Sequence, residues 1–282
     1  MNNNYIFFLL LLTMISVHSQ NKETVYIWPD KTPSNDQIIE KTTQSRVSSG
    51  MITKITEVKY PSFTVYKPKS ISNGVGVIVN PGGGYNILAI DLEGEEVAEW
   101  LTELGYTVFL LKYSVPKKEA EALNDLKRTI RIVRNDAEKY KIDAAKIGVL
   151  GFSAGGSLSA RASTLYNKET YTEIDAIDTV SSRPDFSVLI YPAYLDKGEN
   201  YSITPELKIT KNTPPMFVFA TSDDAHGNSS LVIAKALNDA RVPVELHFLT
   251  DGGHGYGLRT GNVAAEAWPK LLEAWLKKTL LN

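Results

Sequence analysis

The chain has 282 residues, 43% of them apolar, and a formal net charge of −2 from 30 basic and 32 acidic side chains. That length and apolar content suffice for a large core, and the near balance of charge leaves no footprint for nucleic acid or for an anionic lipid surface. Because cysteine is absent, a thiol nucleophile, a disulfide framework and cysteine-ligated zinc are excluded.

From the amino end, Tyr5 to Val17 is almost wholly apolar and runs into Val17-His18-Ser19, with small residues at −3 and −1 of a cut before Gln20. Residues 1–19 therefore read as a secretory signal peptide, although its first residues carry no lysine. A membrane anchor is the competing reading, but the run is shorter than the ~20 apolar residues a span needs. The expected product is secreted or periplasmic, with no membrane span in the mature chain. Residues 20–50 are polar and read as an irregular lead-in, and 51–282 as one domain. Lys54 to Tyr60 and Ser62 to Tyr66 alternate on either side of Pro61, which predicts two antiparallel edge strands.

Val75 to Val79 is a short buried strand feeding Asn80-Pro81-Gly82-Gly83-Gly84-Tyr85. Helical spacing follows over Glu95 to Leu104, with Gly105 as its C-cap. Tyr106 to Leu111 is a strand, and Glu119 to Tyr140 is the clearest helix, its apolar residues stepping by three or four. Ile147 to Leu150 is a strand and Ser153 to Tyr166 a helix. Beyond a polar insertion, Asn167 to Arg183, strands are expected at Phe186 to Tyr191, Met216 to Ala220 and Val244 to Leu249, with a helix at Ser230 to Ala240. A closing helix has Pro269 as a first-turn residue. Strands alternating with helices, and continuous apolar runs in the strands, predict a mostly parallel central sheet with helices on both faces.

The chemistry centres on Gly151-Phe152-Ser153-Ala154-Gly155. A strand before it and a helix after it force a sharp turn that pushes Ser153 outward, the nucleophile elbow of an α/β-hydrolase fold. A serine hydroxyl needs an adjacent base. Of the four histidines, His18 falls in the leader, His247 alternates within a strand and reads as structural, and His226 follows a strand in a short loop. His254, flanked by glycines in Asp251 to Gly257, is the expected base. A carboxylate must fix its tautomer. Met216 to Ala220 ends in Thr221-Ser222-Asp223-Asp224, so the acid is one of two adjacent aspartates; Asp224 is preferred and Asp223 is left as a loop acid or cap. The oxyanion is expected on the amides of Gly83, Gly84 and Ala154, with Gly82 shaping the turn. Tyr85 and His226 are expected at the mouth of the site. No metal or organic cofactor is required.

With these residues in place, the chain from about Tyr60 onward resembles the α/β-hydrolase family of bacterial acetyl xylan esterases and related hemicellulose esterases. The matching stretches are Pro81-Gly82-Gly83-Gly84-Tyr85, Glu93-Gly94-Glu95-Glu96-Val97-Ala98, Gly151 to Gly156, Arg183-Pro184-Asp185-Phe186 with Ile190-Tyr191-Pro192, and Gly252-Gly253-His254-Gly255. The resemblance implies a secreted serine esterase that removes acetyl groups from an acylated carbohydrate. One departure is the segment Ala225-His226-Gly227-Asn228-Ser229, shorter than its counterpart in related sequences, which changes the wall beside the acid. Arg183 and Asp185 read as a structural pair at the foot of a strand. The alternatives are a feruloyl esterase, a prolyl-type peptidase and a non-catalytic glycan-binding protein on the same scaffold. The sugar, the acyl position and the oligomeric state are not legible.

Overall fold

A computed structural model of the chain describes residues 22–34 and 40–281, so the leader expected at 1–19 lies outside the described residues. The strands are β1 (Thr24–Tyr26), β2 (Lys41–Val47), β3 (Gly50–Glu57), β4 (Ser62–Tyr66), β5 (Gly76–Asn80), β6 (Leu88–Ala89), β7 (Thr107–Lys112), β8 (Ile147–Phe152), β9 (Phe186–Ile190), β10 (Met216–Thr221) and β11 (Val244–Leu249). The helices are α1 (Glu96–Glu103), α2 (Glu119–Asn135), α3 (Ala137–Tyr140), α4 (Ala154–Thr164), α5 (Gly227–Asp239) and α6 (Val263–Leu276).

Eight strands form one sheet in the order β1-β4-β7-β5-β8-β9-β10-β11. From β7 onward every neighbouring pair is parallel; only β1–β4 and β4–β7 are antiparallel. The run of apolar residues in β5, β8, β9 and β10 has its physical cause here, because every residue of these strands is buried. Successive side chains point to opposite faces. Phe186, Val188 and Ile190 join one apolar cluster with Trp268 and Leu272 of α6, while Leu189 joins a second with Ile233 and Leu237 of α5. The sheet is thus covered on both sides, as in an α/β-hydrolase fold.

Several sequence expectations need correction. The lead-in at 20–50 is not irregular: β1 pairs with β4 at the margin of the main sheet, and β2 and β3 form an antiparallel hairpin continued by β6. β2 left no apolar alternation because it is exposed or half-exposed throughout. The strands on either side of Pro61 do not pair with each other; β3 belongs to the small sheet and β4 lies inside the large one. The long helix ends at Asn135 and resumes as α3 after Asp136 leaves helical geometry. Pro269 lies inside α6, which starts earlier because Asn262 Oδ1 caps it by accepting from the amides of Ala264 and Ala265.

Candidate active site

Parallel pairing sets the carboxyl ends of the central strands level. Asn80 of β5 lies opposite Gly151 of β8, Phe152 opposite Ile190 of β9, Ile190 opposite Phe219 of β10, and Thr221 opposite Leu249 of β11. The four loops holding the candidate residues therefore leave the sheet along one edge, where open α/β sheets bind their ligands.

Ser153 stands between β8 and α4 at φ 52, ψ −118, a conformation disfavoured for a residue with a side chain. The turn is tight enough that a Cβ on Gly151 would meet the Gly155 carbonyl oxygen at 2.1 Å, and one on Gly155 would meet the Asn80 oxygen at 2.0 Å. Neither glycine has an alternative. The Ser153 amide donates to Ile190 O at 3.1 Å and its carbonyl accepts from the Ala193 amide at 3.1 Å, so the end of β9 and the loop after it hold the elbow from both sides.

His254 Nε2 lies 2.7 Å from Ser153 Oγ, and its Nδ1 lies 2.7 Å from Asp224 Oδ2. With Nδ1 carrying the proton, Nε2 is left as the acceptor for the serine hydroxyl. The Asp224 side chain has no exposed surface, and its other oxygen accepts from the His226 amide at 2.8 Å. Asp223 turns away: it accepts from the amides of Gly252 and Gly253 at 3.1 and 2.8 Å, bracing the loop that carries the base. The Thr221 hydroxyl and these amides hold the Asp223 carboxyl below the ordinary carboxylate range. The structure thus separates two adjacent aspartates that the sequence leaves as rivals.

The glycine loop lies against the elbow, since a Cβ on Gly82 would come within 2.8 Å of Ser153 Cβ. The Gly82 amide donates to Glu93 Oε2 at 2.7 Å. The amides of Gly83 and Gly84 form no hydrogen bond to a described residue, and that of Ala154, the first residue of α4, precedes the helix's own ladder. These are the amides expected for an oxyanion.

Glu93 lies in the stretch shared with related esterases, and nothing in the sequence singles it out as part of the site. It is 3% exposed. Its Oε1 accepts from Tyr191 Oη at 2.9 Å, and Tyr191 Oη in turn accepts from the Gly257 amide at 3.1 Å. Burial raises the Glu93 pKa, opposed by these bonds from Tyr191 and Gly82. The Tyr191 ring, held at φ 37, packs 5.0 Å from the imidazole of His254. One buried carboxyl thus ties the glycine loop to the loop of the base. A glutamine offers one acceptor where two are needed: if its oxygen takes the Gly82 amide, the Tyr191 hydroxyl proton loses its acceptor. Glu93→Gln is expected to lower kcat on p-nitrophenyl acetate about tenfold with KM little changed, the equivalent of one lost charge-assisted bond of about 1.5 kcal/mol. Steady-state kinetics beside a thermal melt check it.

The remaining candidates divide. The His226 ring lies 5.0 Å from that of His254 and 5.5 Å from Tyr194, at the rim, and burial lowers its pKa. Tyr85 is buried and forms the wall of a neighbouring cavity. His247 pairs with Glu245 at 2.9 Å on β11 and packs against Phe217 and Phe219. Arg183 and Asp185 are 3.9 Å apart, but the closer partner of Asp185 is Arg134 at 2.8 Å. A contact from the small sheet was not foreseen: Ser49 Oγ donates to Gly255 O at 2.6 Å, and Arg259 Nη1 donates to Ser49 O at 3.0 Å. Among the described residues no group of three or more His, Asp or Glu side chains is disposed to hold a metal ion, and no helix is long and apolar enough to cross a membrane.

Residues 63–191 match the family described as BD-FAE. An acetyl ester-xyloside bifunctional hydrolase from Caldicellulosiruptor lactoaceticus superposes with a TM-score of 0.73 at 33% identity, over 91% of this chain and 96% of that one. The acetylxylan esterase of Xylanibacter ruminicola is 26% identical over 268 residues, 85% of this chain and 53% of the relative. The endo-1,4-beta-xylanase B of Butyrivibrio fibrisolvens is 29% identical over 206 residues, 64% of this chain and 32% of the relative. The chain therefore spans about half the length of the first curated relative and a third of the second.

Proposed function

Because the chain belongs to the α/β-hydrolase family of esterases that includes acetyl xylan esterases, we propose that it is an exported serine carboxylesterase removing O-acetyl groups from xylan-type carbohydrate. The observation that carries the mechanism is the line of two 2.7 Å contacts from Asp224 through His254 to Ser153. Ser153 Oγ attacks the ester carbonyl carbon as His254 Nε2 takes its proton, and Asp224 stabilises the imidazolium and keeps the ring in the required tautomer. The oxyanion rests on the amides of Gly83, Gly84 and Ala154, donors in place before the charge develops. Collapse expels the sugar hydroxyl, protonated by His254. Water, deprotonated by the same imidazole, then attacks the acetyl-enzyme and releases acetate and Ser153. Every step is a proton transfer or an acyl transfer, and none calls for a metal or organic cofactor.

Relatives named for xylan and for acetyl esters support the substrate class, and the apolar stretch Tyr5 to Val17 supports export. The domain that does this work is 51–282 together with the strands before it that pair with its sheets. Initial rates of acetate release from acetylated xylan and of methyl ferulate hydrolysis test the reading. Acetate release is expected to dominate; a clear preference for ferulate would make the chain a feruloyl esterase instead.

A further inference from the structure

Next to the Ser153 rim lies a cavity of about 620 Å³ walled by Tyr85, Tyr194, Leu123, Asn124, Arg161 and Glu206. None of these residues takes part in the proton transfers above. Two contacts join the cavity to the catalytic rim. Tyr85 directly follows the glycine loop, and Tyr194 closes the gap on the other side: its hydroxyl would lie 3.4 Å from a Cβ on Gly84, and its ring packs against His226, itself packed on His254.

We propose that this cavity is a glycosyl subsite, holding neutral sugar rings of the alcohol part of the ester while the acetyl group lies at Ser153. The inference rests on the esterase reading and adds where the rest of the substrate goes. Its size falls within the roughly 300–1000 Å³ usual for small-molecule sites. Tyr85 and Tyr194 are stacked at 6.3 Å with planes 28° apart, a wall suited to the C–H faces of a pyranose, while polar groups around it suit the hydroxyls. The charges cancel: Arg161, Lys168 and Lys197 stand against Glu119, Glu169 and Glu206. A neutral polyol can bond to both signs, whereas an aromatic acyl group would strip water from the Arg161–Glu206 ion pair, 2.7 Å long, and return nothing.

Two further features mark the wall as shaped for a ligand. Tyr85 and Tyr194 both hold left-handed backbone, φ 57 and φ 60, a conformation that bulky residues rarely keep without a use. In the lining itself, Asn124 Oδ1 is buried with no hydrogen-bond partner among the described residues. The Ser157 hydroxyl, which accepts from Arg161 Nη1, keeps its own proton and is the donor within reach of Tyr85 Oη.

The test uses two variants, Tyr194→Ala and Ala120→Trp; Ala120 lies on the cavity wall at an exposed helical position, where a large ring obstructs without removing any core contact. For each, the ratio of kcat/KM on an acetylated xylo-oligosaccharide to kcat/KM on p-nitrophenyl acetate is compared with the native ratio. A fall of about tenfold in the ratio is expected, the equivalent of about 1.4 kcal/mol of sugar binding. Ratios within about twofold of native for both variants, or equal loss on the two esters, overturn the subsite. If Tyr194→Ala does not fold, Ala120→Trp decides. Calorimetric titration of xylotriose into the native protein and Ala120→Trp needs no turnover: binding lost in the variant supports the cavity, and binding absent from the native protein or equal in both overturns it. A native protein that binds xylotriose but hydrolyses no ester would instead sink the esterase reading alone.

Discussion

Ser153→Ala is expected to lower kcat on p-nitrophenyl acetate by about 10⁶-fold while leaving the fold intact. The size follows from what is removed. Without the hydroxyl there is no acyl-enzyme, and the two-step route reverts to direct attack by water on an ester held near the glycine loop. On the proposed reading, the residual rate would measure what the amides of Gly83, Gly84 and Ala154 supply by themselves, about 10³–10⁴ over water in a serine hydrolase stripped of its triad. The fold should survive because alanine keeps the Cβ already accommodated at φ 52 and leaves the glycines at 151 and 155 untouched. Kinetics with a burst of p-nitrophenol, present in the native enzyme and absent in the variant, check the covalent step. A variant that turned over at the native rate would remove Ser153 from the reaction.

Asp224→Asn is expected to cost about 10⁴-fold in kcat, and Asp223→Asn less than about tenfold, a loss set by two bonds to loop amides and not by the base itself. The contrast comes from orientation. A side-chain amide in place of the Asp224 carboxylate would donate to Nδ1 of His254, drive the ring proton to Nε2, and so point a donor at Ser153 Oγ where an acceptor is needed. The Asp223 carboxylate is held by the Thr221 hydroxyl and the amides of Gly252 and Gly253, with no bond to His254, so the same substitution loosens the loop while the tautomer stands. Measured side by side, a larger loss at 223 than at 224 would reverse the assignment.

The elbow was legible because its requirements are local. Glycines two residues before and two after a serine, between an apolar strand and a helix, leave the chain one way to turn, and the close approach of Gly155 to the Asn80 oxygen shows why. That Ser153, Asp224 and His254 would meet was legible for a similar reason, since each follows a recognisable strand of a parallel sheet. Choosing between Asp223 and Asp224 was a matter of side-chain direction at a turn, which periodicity only weakly constrains. Glu93 and Tyr191 were harder: 98 positions separate them, and a glutamate in an amphipathic segment reads by default as a solvated charge. The β2 half of the hairpin was invisible for the opposite reason, its exposed residues showing neither an apolar face nor a helical period.

That hairpin bears on where the working unit begins. Ser49 grips the carbonyl of Gly255, the residue after the base, and Arg259 reaches back to Ser49 and Met51 while pairing with Glu96. A shortened chain opening at residue 51 would retain serine, histidine and both aspartates, and would still lack the clasp on the peptide next to the imidazole. Trimming for expression should therefore stop ahead of Thr24, which keeps both β1 at the margin of the main sheet and the polar ribbon that is the outer hinge pin of the loop carrying His254.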